Sequence, residues 1–119
     1  MTKFEIKTDH FEFRFGTYKQ SIPSMTADEV FEEYLSGSCN DPKLEAAFDS
    51  LAAAQAEFKA HYAGYGRTYA EKGFNFWLLV GEIAWIEENE YDEDGEFDCS
   101  CCTYDVSAEG YKNEEEEDK

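Results

Sequence analysis

The sequence has few positively charged residues and no long apolar run, and each shortage excludes a class of protein. Ten Lys and Arg stand against 28 Asp and Glu, so the formal net charge is −18. Such a charge repels nucleic acid and anionic membranes. The longest apolar stretch, residues 76–80, is too short to span a bilayer, and residues 1–10 are too polar for a secretory signal. We therefore expect a cytoplasmic protein.

The chain nevertheless has enough apolar material for one folded domain. Hydrophobic residues make up 42% of the 119 residues and aromatic residues 17%, whereas disordered acidic chains are poor in both. A chain of this length holds one core, not two. We predict a single domain over residues 1–110, followed by an acidic, disordered tail over residues 111–119.

The negative charge is concentrated in the last third of the chain. Residues 1–81 hold 12 acidic and 8 basic residues, a net charge of −4. Residues 82–119 hold 16 acidic and 2 basic residues, a net charge of −14. Because self-repulsion of this size opposes folding, a local excess of negative charge suggests a positively charged partner.

The first twenty residues alternate apolar and polar residues in two runs. Phe4 and Ile6 belong to the first run, and the odd-numbered phenylalanines from Phe11 to Phe15 belong to the second. Two such runs around a short polar segment predict a β-hairpin with its turn at residues 9–10.

Two helices are expected next. Thr26 and Glu29 form a capping-box pattern ahead of an apolar stripe, which predicts a first helix that ends near Leu35. A second helix is expected to start at residues 41–42, where Asp precedes Pro. Apolar residues at helical spacing extend this second helix to Tyr62.

The remaining apolar segment, residues 74–86, favours strands because of its flanking glycines and aromatic content, with a break at its central glycine. Residues 94–95, Asp-Gly, predict a second hairpin in which Glu93 faces Glu96 and residues 99–106 form the return strand. The expected fold is therefore α+β. An N-terminal β-hairpin, two helices and then two or three antiparallel strands form one sheet with the helices packed on one face.

The acidic second hairpin is the main candidate binding site. Eight carboxylates lie within twelve residues, interleaved with aromatic residues that offer apolar anchors. Alternate carboxylates on a strand are about 6.6 Å apart, similar to neighbouring phosphates, so the hairpin fits a groove that binds phosphates. The alternative is an ordinary solvated loop. The candidate partner-binding residues are Trp85, Glu87, Glu88, Glu90, Tyr91, Asp92, Glu93, Asp94, Glu96 and Asp98.

The cysteines offer an alternative site for zinc, with His10 or His61 as further ligands. Structural zinc sites use two cysteine pairs and this chain has one cluster, so small core residues explain the pattern as well. In a regular strand Cys99 and Cys101 share one face and Cys102 takes the other. We expect reduced thiols, no bound metal and no cofactor. The four cysteines are Cys39, Cys99, Cys101 and Cys102.

No motif in the sequence supports catalysis. Neither histidine has a motif-specific nucleophile beside it, and no glycine-rich phosphate-binding loop is present. A calcium-binding EF-hand loop that uses Gly95 as its sixth residue would end at Cys101, where a Glu is required. We therefore expect a protein that is not an enzyme.

In size and charge the chain resembles the small acidic proteins with which phages and mobile elements block host defence, the anti-CRISPR and anti-restriction proteins. Several of these mimic nucleic acid. Residues 61–70 also resemble a tyrosine- and glycine-containing stretch of the plasmid anti-restriction proteins called ArdA.

This resemblance implies an inhibitor that occupies the basic DNA- or RNA-binding surface of a host defence nuclease and blocks it by competition. Two alternatives stay open on the residues. One is an adaptor that binds through its aromatic surface. The other is a metal-binding regulatory module that uses the cysteines or the acidic cluster.

Overall fold

A computed structural model describes residues 1–17, 22–37, 41–64 and 66–113. These residues form an α+β fold with one antiparallel sheet, as predicted. No helix among them is long and apolar enough to cross a membrane. In chain order the elements are β1 (Thr2–Phe15), α1 (Ala27–Ser36), β2 (Lys43–Phe48), α2 (Leu51–His61), β3 (Tyr69–Lys72), β4 (Trp77–Tyr91) and β5 (Phe97–Ser107).

The fourth strand is the centre of the sheet. The strand order is β2-β1-β4-β3, and β5 also pairs with β4. β1 pairs with β4 along its whole length, from Thr2 opposite Glu90 to Phe15 opposite Trp77. β4 has 15 residues, which correspond to about 50 Å of extended chain. The longest dimension of the molecule is 53 Å, so β4 runs from one end of the molecule to the other.

β1 is one continuous strand, so the predicted hairpin with a turn at residues 9–10 is wrong. Successive side chains of a strand point to opposite faces of the sheet. Phe4 and Ile6 are even-numbered, whereas the phenylalanines from Phe11 to Phe15 are odd-numbered. The change of parity therefore marks a change of face and not a turn.

Each face of the sheet has its own core and its own helix. The α1 face carries the odd-numbered residues of β1 and β4, and there Leu79, Ile83 and Trp85 pack against α1. The α2 face carries the even-numbered residues, and there Ala84 and Ile86 pack against α2. The helices thus lie on opposite faces and not on the single face predicted, because β4 is apolar on both sides.

The first helix begins as predicted. The Glu29 N–H donates to the Thr26 hydroxyl (3.2 Å), and the Thr26 N–H donates to the Glu29 carboxylate (3.1 Å), which completes a capping box. The buried side of α1 presents Phe31 and Tyr34 to Trp85. Their ring centroids lie 5.6 and 5.2 Å from that of the indole. The cap therefore fixes the start of α1, and with it the positions of Phe31 and Tyr34 against Trp85.

The second helix begins at Leu51 and not at Pro42, because the residues between them form β2. The Ser50 side chain caps α2. β2 pairs with β1 so that Phe48 lies opposite Phe4. The alanines of this segment favour helix, but the backbone hydrogen bonds and apolar contacts offered by β1 outweigh local propensity.

β4 continues through Gly81, where a break was predicted. A Cβ atom at this position would lie 2.7 Å from both the Phe11 ring and the Arg67 carbonyl oxygen. The glycine therefore allows close approach of two neighbouring segments. The break in the apolar segment lies instead at the turn between β3 and β4, residues 73–76.

The folded chain extends past the domain boundary predicted at residue 110. Met25 and Tyr111 form an antiparallel bridge with N···O distances of 2.7 and 2.8 Å. The buried Asn113 side chain donates to the Ile22 carbonyl (2.8 Å). These contacts fasten the C-terminal segment beside the start of α1. The rest of the predicted tail, residues 114–119, lies outside the described residues.

Candidate functional site

The acidic segment, residues 87–98, runs through the end of β4, a turn and the start of β5. Because side chains alternate along β4, its carboxylates separate into three groups. Glu87 points to the α1 face, and Glu88 and Glu90 point to the α2 face. The third occupies residues 92–98, which we call the tip.

Trp85 lies in the core of the α1 face and not at the surface. Its side chain is 3% exposed and packs against Phe31 and Tyr34. Its indole N–H donates to Glu87 Oε2 (2.7 Å). A buried ring does not contact a partner, so Trp85 is not one of the apolar anchors predicted for the interface. Its indole instead orients Glu87.

On the α1 face Glu87 belongs to a network of paired charges. Glu5 of β1 lies directly opposite Glu87, and like charges so placed are unfavourable by themselves. The Lys7 ammonium lies 2.8 Å from Glu87 and 3.9 Å from Glu5. The Asn89 amide donates to Glu5 (2.9 Å) and to Glu87 (3.0 Å). The fold itself thus satisfies both carboxylates.

The ionisation of Glu87 reflects this network. Burial alone would raise its pKa, but hydrogen bonds from Lys7, Trp85 and Asn89, with the positive charge of Lys7, hold the pKa below its ordinary value. Glu87 is therefore ionised at neutral pH. Its charge is compensated within the protein and contributes little to the attraction of a partner.

Tyr91 connects this network to the tip. Its hydroxyl donates to Glu5, and this hydrogen bond, with burial, raises the pKa of Tyr91 to about 12. Its ring meets the Phe97 ring edge on, with the centroids 5.9 Å apart. Tyr91 therefore supports Phe97 from a fixed position at the end of β4.

Glu88 and Glu90 point to the α2 face and are half-buried. The Tyr104 hydroxyl donates to Glu88 (2.8 Å), and the Thr2 hydroxyl donates to Glu90. Hydrogen bonds with Glu88 and Cys102 raise the pKa of Tyr104 to about 12. The N-terminal ammonium lies 3.9 Å from Glu90. Among the described residues no Lys or Arg side chain pairs with either carboxylate, in contrast to Glu87.

The turn within the tip has three residues and not the two predicted. The Asp92 N–H donates to the Glu96 carbonyl (2.9 Å), and Gly95 has a φ of 81°, which suits the left-handed position of such a turn. The predicted opposition of Glu93 and Glu96 is therefore wrong. Tyr91 lies opposite Phe97, one residue earlier than predicted.

The carboxylates of the tip differ from one another in what they contact. The Asp92 side chain accepts hydrogen bonds from the N–H groups of Asp94 and Glu96, both at 2.9 Å, and so stabilises the turn. Four others are exposed, and none of them forms a side-chain hydrogen bond or ion pair in the part of the chain that the structure describes. These are Glu93, Asp94, Glu96 and Asp98.

Phe97 is the aromatic residue that the tip exposes. Its side chain is 58% exposed, and carboxylates of the tip precede and follow it in the chain. Of the aromatic residues among the predicted site residues, Trp85 is buried and Tyr91 is half-buried, with its hydroxyl bonded to Glu5. The tip thus combines four unused negative charges with one apolar side chain.

The three described cysteines lie on the α2 face beside the carboxylates. Cys99 pairs with Glu90 and Cys102 with Glu88, and Cys101 is the extra residue of a bulge between them. The bulge replaces the regular strand pattern that would place Cys102 on the opposite face. The Cys101 sulfur and oxygens of both carboxylates lie within 4.8 Å of one another.

The Cys101 thiol is not poised as a nucleophile. Desolvation, the hydrogen bond with Cys99 and the negative charges of Glu88 and Glu90 raise its pKa to about 11. All three described cysteines are exposed free thiols. At neutral pH this thiol therefore carries its proton unless a cation displaces it.

The histidines lie apart from the cysteines, although the zinc site suggested by the sequence used His10 or His61 as a further ligand. His10 lies 3.6 Å from Glu82 across the β1–β4 pair, and His61 lies 3.0 Å from Glu57 within α2. Cys39, the fourth cysteine of that set, lies outside the described residues. On the α2 face the side chains beside Cys101 are those of Glu88 and Glu90 and not of the histidines.

Sequence reasoning missed Glu5 and Lys7, which complete the network on the α1 face. Glu5 is buried, at 4% exposure, and its partner Asn89 is 84 residues away in the chain. No local pattern links residues at such a separation. The register of β1 against β4 brings them together.

The chain matches no known protein family, no curated protein and no solved structure. No relative is therefore at hand from which a function can be transferred. A function must be argued from the placement of the side chains on β4, the tip and β5.

Proposed function

We propose that the protein binds through its tip to a basic nucleic-acid-binding surface of another protein and blocks that surface by competition. The proposed partner is a host defence nuclease, of the kind that anti-CRISPR and anti-restriction proteins inhibit. Action on such a nuclease places the protein in the cytoplasm. The mechanism requires no chemistry and no cofactor from the protein itself.

One observation carries the proposal, namely that the tip holds four exposed carboxylates that the fold does not use. The carboxylates of β4 accept hydrogen bonds from neighbouring side chains, whereas these four do not. Their mutual repulsion within seven residues destabilises the folded state. A basic surface would offset this repulsion and would also accelerate encounter by electrostatic attraction.

Phe97 supplies the apolar contact that charge alone does not give. Aromatic residues near the centre of an interface carry much of its binding energy. Tyr91 contacts the Phe97 ring, and Glu5 fixes Tyr91, so the ring is presented on a rigid support. A surface that pairs basic residues with a platform for stacking a nucleobase would accept both features.

The dimensions of the tip favour a small target area. Its longer arm, residues 96–98, has three residues, which corresponds to about 10 Å. Such a surface spans a few neighbouring phosphates and not a long duplex. The proposal therefore differs from the extended acidic ribbon expected from the sequence, and the predicted residues Trp85 and Glu87 take no part in the contact.

The test uses the full chain and a variant in which the four unused carboxylates of the tip are reversed to Lys. Proteins captured from a bacterial lysate are identified by mass spectrometry, and the purified partner is titrated at increasing salt concentration. We expect reversal to abolish binding and salt to weaken the wild-type complex steeply. A nucleic-acid ligand of the partner should displace the protein. The substitutions are Glu93→Lys, Asp94→Lys, Glu96→Lys and Asp98→Lys.

A matched control changes the total charge by the same amount elsewhere on the surface. Its four carboxylates are exposed and lie on β1, α1 and β3. The control should still bind the partner, and circular dichroism should show that both variants fold. Equal loss in both variants, or binding that is insensitive to salt, would contradict the proposal. The control substitutions are Glu12→Lys, Glu32→Lys, Glu33→Lys and Glu71→Lys.

The same measurements separate the proposal from an adaptor function. An adaptor that binds through apolar contacts would keep its affinity after reversal of the four carboxylates and lose it in Phe97→Ser. The proposed mimic should lose affinity in both. The comparison of these two variants therefore decides which contact dominates.

A further inference from the structure

Thiol and carboxylate ligands converge on the α2 face next to the tip. Glu90 lies opposite Cys99, and Glu88 lies opposite Cys102. Cys101 lies in the bulge between the two pairs, with its sulfur within 4.8 Å of both carboxylates. The register of β4 against β5 thus brings thiol and carboxylate side chains together.

The bulge makes the arrangement more than a group of acidic residues. Without it, one of the neighbouring cysteines 101 and 102 would point to the α1 face. With it, Cys102 pairs with Glu88, and the Cys101 sulfur lies beside Glu88 and Glu90. Soft thiolate ligands select zinc-like ions over calcium and magnesium, which prefer oxygen alone.

No lysine compensates the charge of Glu88 and Glu90 among the described residues, in contrast to the carboxylates of the α1 face. On the α1 face the Lys7 ammonium lies between Glu5 and Glu87. For Glu88 and Glu90 the N-terminal ammonium, 3.9 Å from Glu90, is the one cationic contact within the described residues. Glu88 and Glu90 therefore retain an excess of negative charge toward which a cation is attracted.

Residues outside the cluster orient both carboxylates. The Tyr104 hydroxyl donates to Oε1 of Glu88, and the Thr2 hydroxyl donates to Oε1 of Glu90. The Oε2 atom of Glu88 is left for another ligand, and Oε2 of Glu90 has the N-terminal ammonium at 3.9 Å. Hydrogen bonds that hold ligating carboxylates in this way are a regular part of metal sites.

We propose that Glu88, Glu90 and Cys101, with Cys99 as the fourth ligand, bind a thiophilic divalent metal ion of the zinc class. Cys99 lies two residues before Cys101 and pairs with Glu90 across the two strands. On binding, sulfur–metal bonds replace the S–H bonds and the thiol protons pass to solvent, with no change of oxidation state. This inference does not rest on the proposed inhibitory function.

The experiment titrates the chelator-treated, reduced full chain with Zn²⁺ by calorimetry and with Cd²⁺ by ultraviolet absorption. We expect one ion per chain, a cadmium–thiolate charge-transfer band, and release of protons measured in buffers of different ionisation enthalpy. Ca²⁺ and Mg²⁺ should compete poorly, because they favour oxygen ligands.

Four variants locate the site. Cys101→Ser and the double variant Glu88→Gln/Glu90→Gln should weaken Zn²⁺ binding by about tenfold or more. Cys39→Ser and a double variant of the tip, Asp94→Asn/Glu96→Asn, should change it less than about twofold. Because the substituted side chains of β4, β5 and the tip are exposed or half-buried, these variants should fold without metal, which circular dichroism would verify for all four.

Three results would overturn the inference. The first is a cadmium titration without a thiolate band. The second is Zn²⁺ affinity that is unchanged in Cys101→Ser. The third is Ca²⁺ binding as tight as Zn²⁺ binding and lost in the tip variant, which would indicate adventitious binding by exposed carboxylates only.

Discussion

The α1-face network and the tip belong to one acidic segment, yet the fold treats their charges in opposite ways. On the α1 face Glu87 shares Lys7 with Glu5 and accepts hydrogen bonds from Trp85 and Asn89. At the tip, carboxylates of the same charge have no such partners among the described residues. A continuous acidic segment in the sequence thus contains carboxylates that stabilise the fold and carboxylates that the fold does not use.

The comparison shows that charge density is a poor guide to a binding site until burial is known. Residues 87–90 pair with β1 and Tyr91 bonds to Met1, so their side chains pack against other residues of the sheet. Residues 92–98 extend beyond the last partner of β1 and meet solvent. The candidate binding surface is therefore smaller than the acidic segment that suggested it.

The largest effect is expected for Lys7→Met, which leaves Glu5 and Glu87 buried without a cation. The free energy of unfolding should fall by about 3 kcal/mol, measured by urea denaturation at pH 7. Lys59→Met, on the exposed side of α2, should cost less than about 0.5 kcal/mol. Adding Glu87→Gln to Lys7→Met should recover part of the loss. Equal stabilities of the two single variants would show that the network does not depend on the Lys7 charge.

A smaller and pH-dependent effect is expected for Glu87→Gln. Because the pKa of Glu87 is lowered by folding, its stabilisation is present above its unfolded pKa of about 4.3 and is lost as pH falls through the folded pKa. The wild type should exceed the variant by about 2 kcal/mol at pH 7.

The matched control for this pH dependence is Glu93→Gln, at an exposed carboxylate of the tip. Unfolding is measured for all three proteins from pH 7 to pH 3. The gap between wild type and Glu87→Gln should close toward acid pH, while the gap for Glu93→Gln should stay near zero. A gap that is constant with pH would show that the Glu87 charge is not the stabilising element.

Within the tip, Asp92→Ala should cost about 1 kcal/mol, because two backbone N–H groups lose their acceptor. Asp94→Ala, two residues further along the chain, should leave stability unchanged within about 0.5 kcal/mol. Thermal unfolding of both variants tests the difference. If both cost the same, Asp92 belongs with the unused carboxylates and the boundary between the two regions shifts by one residue.

The smallest effect on stability is expected when all four unused carboxylates are neutralised. The free energy of unfolding should change by less than about 0.5 kcal/mol, and at low salt it should rise, because repulsion at the tip is relieved. Urea denaturation at two salt concentrations measures this. A marked loss of stability would show that the tip has a structural role. The substitutions are Glu93→Gln, Asp94→Asn, Glu96→Gln and Asp98→Asn.

The fold class and α1 could be predicted because each has a local signature, such as the capping box at Thr26. The first strand could not, because a change of parity in an apolar pattern is the same for a turn and for a change of face. One signal did favour the continuous strand. A two-residue turn needs residues that tolerate positive φ, typically Asn-Gly or Asp-Gly, and residues 9–10 are Asp-His.

The candidate site was predictable only where it has a local sequence signature. Asp-Gly at residues 94–95 correctly indicated a turn, but whether it had two or three residues depended on Asp92, whose side chain accepts from two N–H groups of the loop. The bulge at Cys101 and the burial of Trp85 depend on partners in other strands. Such long-range contacts leave no periodic pattern in the sequence.

The long pairing of β1 with β4 has a consequence for biosynthesis. Phe15 ends β1, and its partner Trp77 is added 62 residues later. At about 5–20 residues per second the ribosome needs roughly 3–12 s for that interval, during which β1 lacks its main partner. Contacts between residues so far apart also slow folding. The nascent chain therefore completes its sheet only when the acidic third of the sequence is emerging.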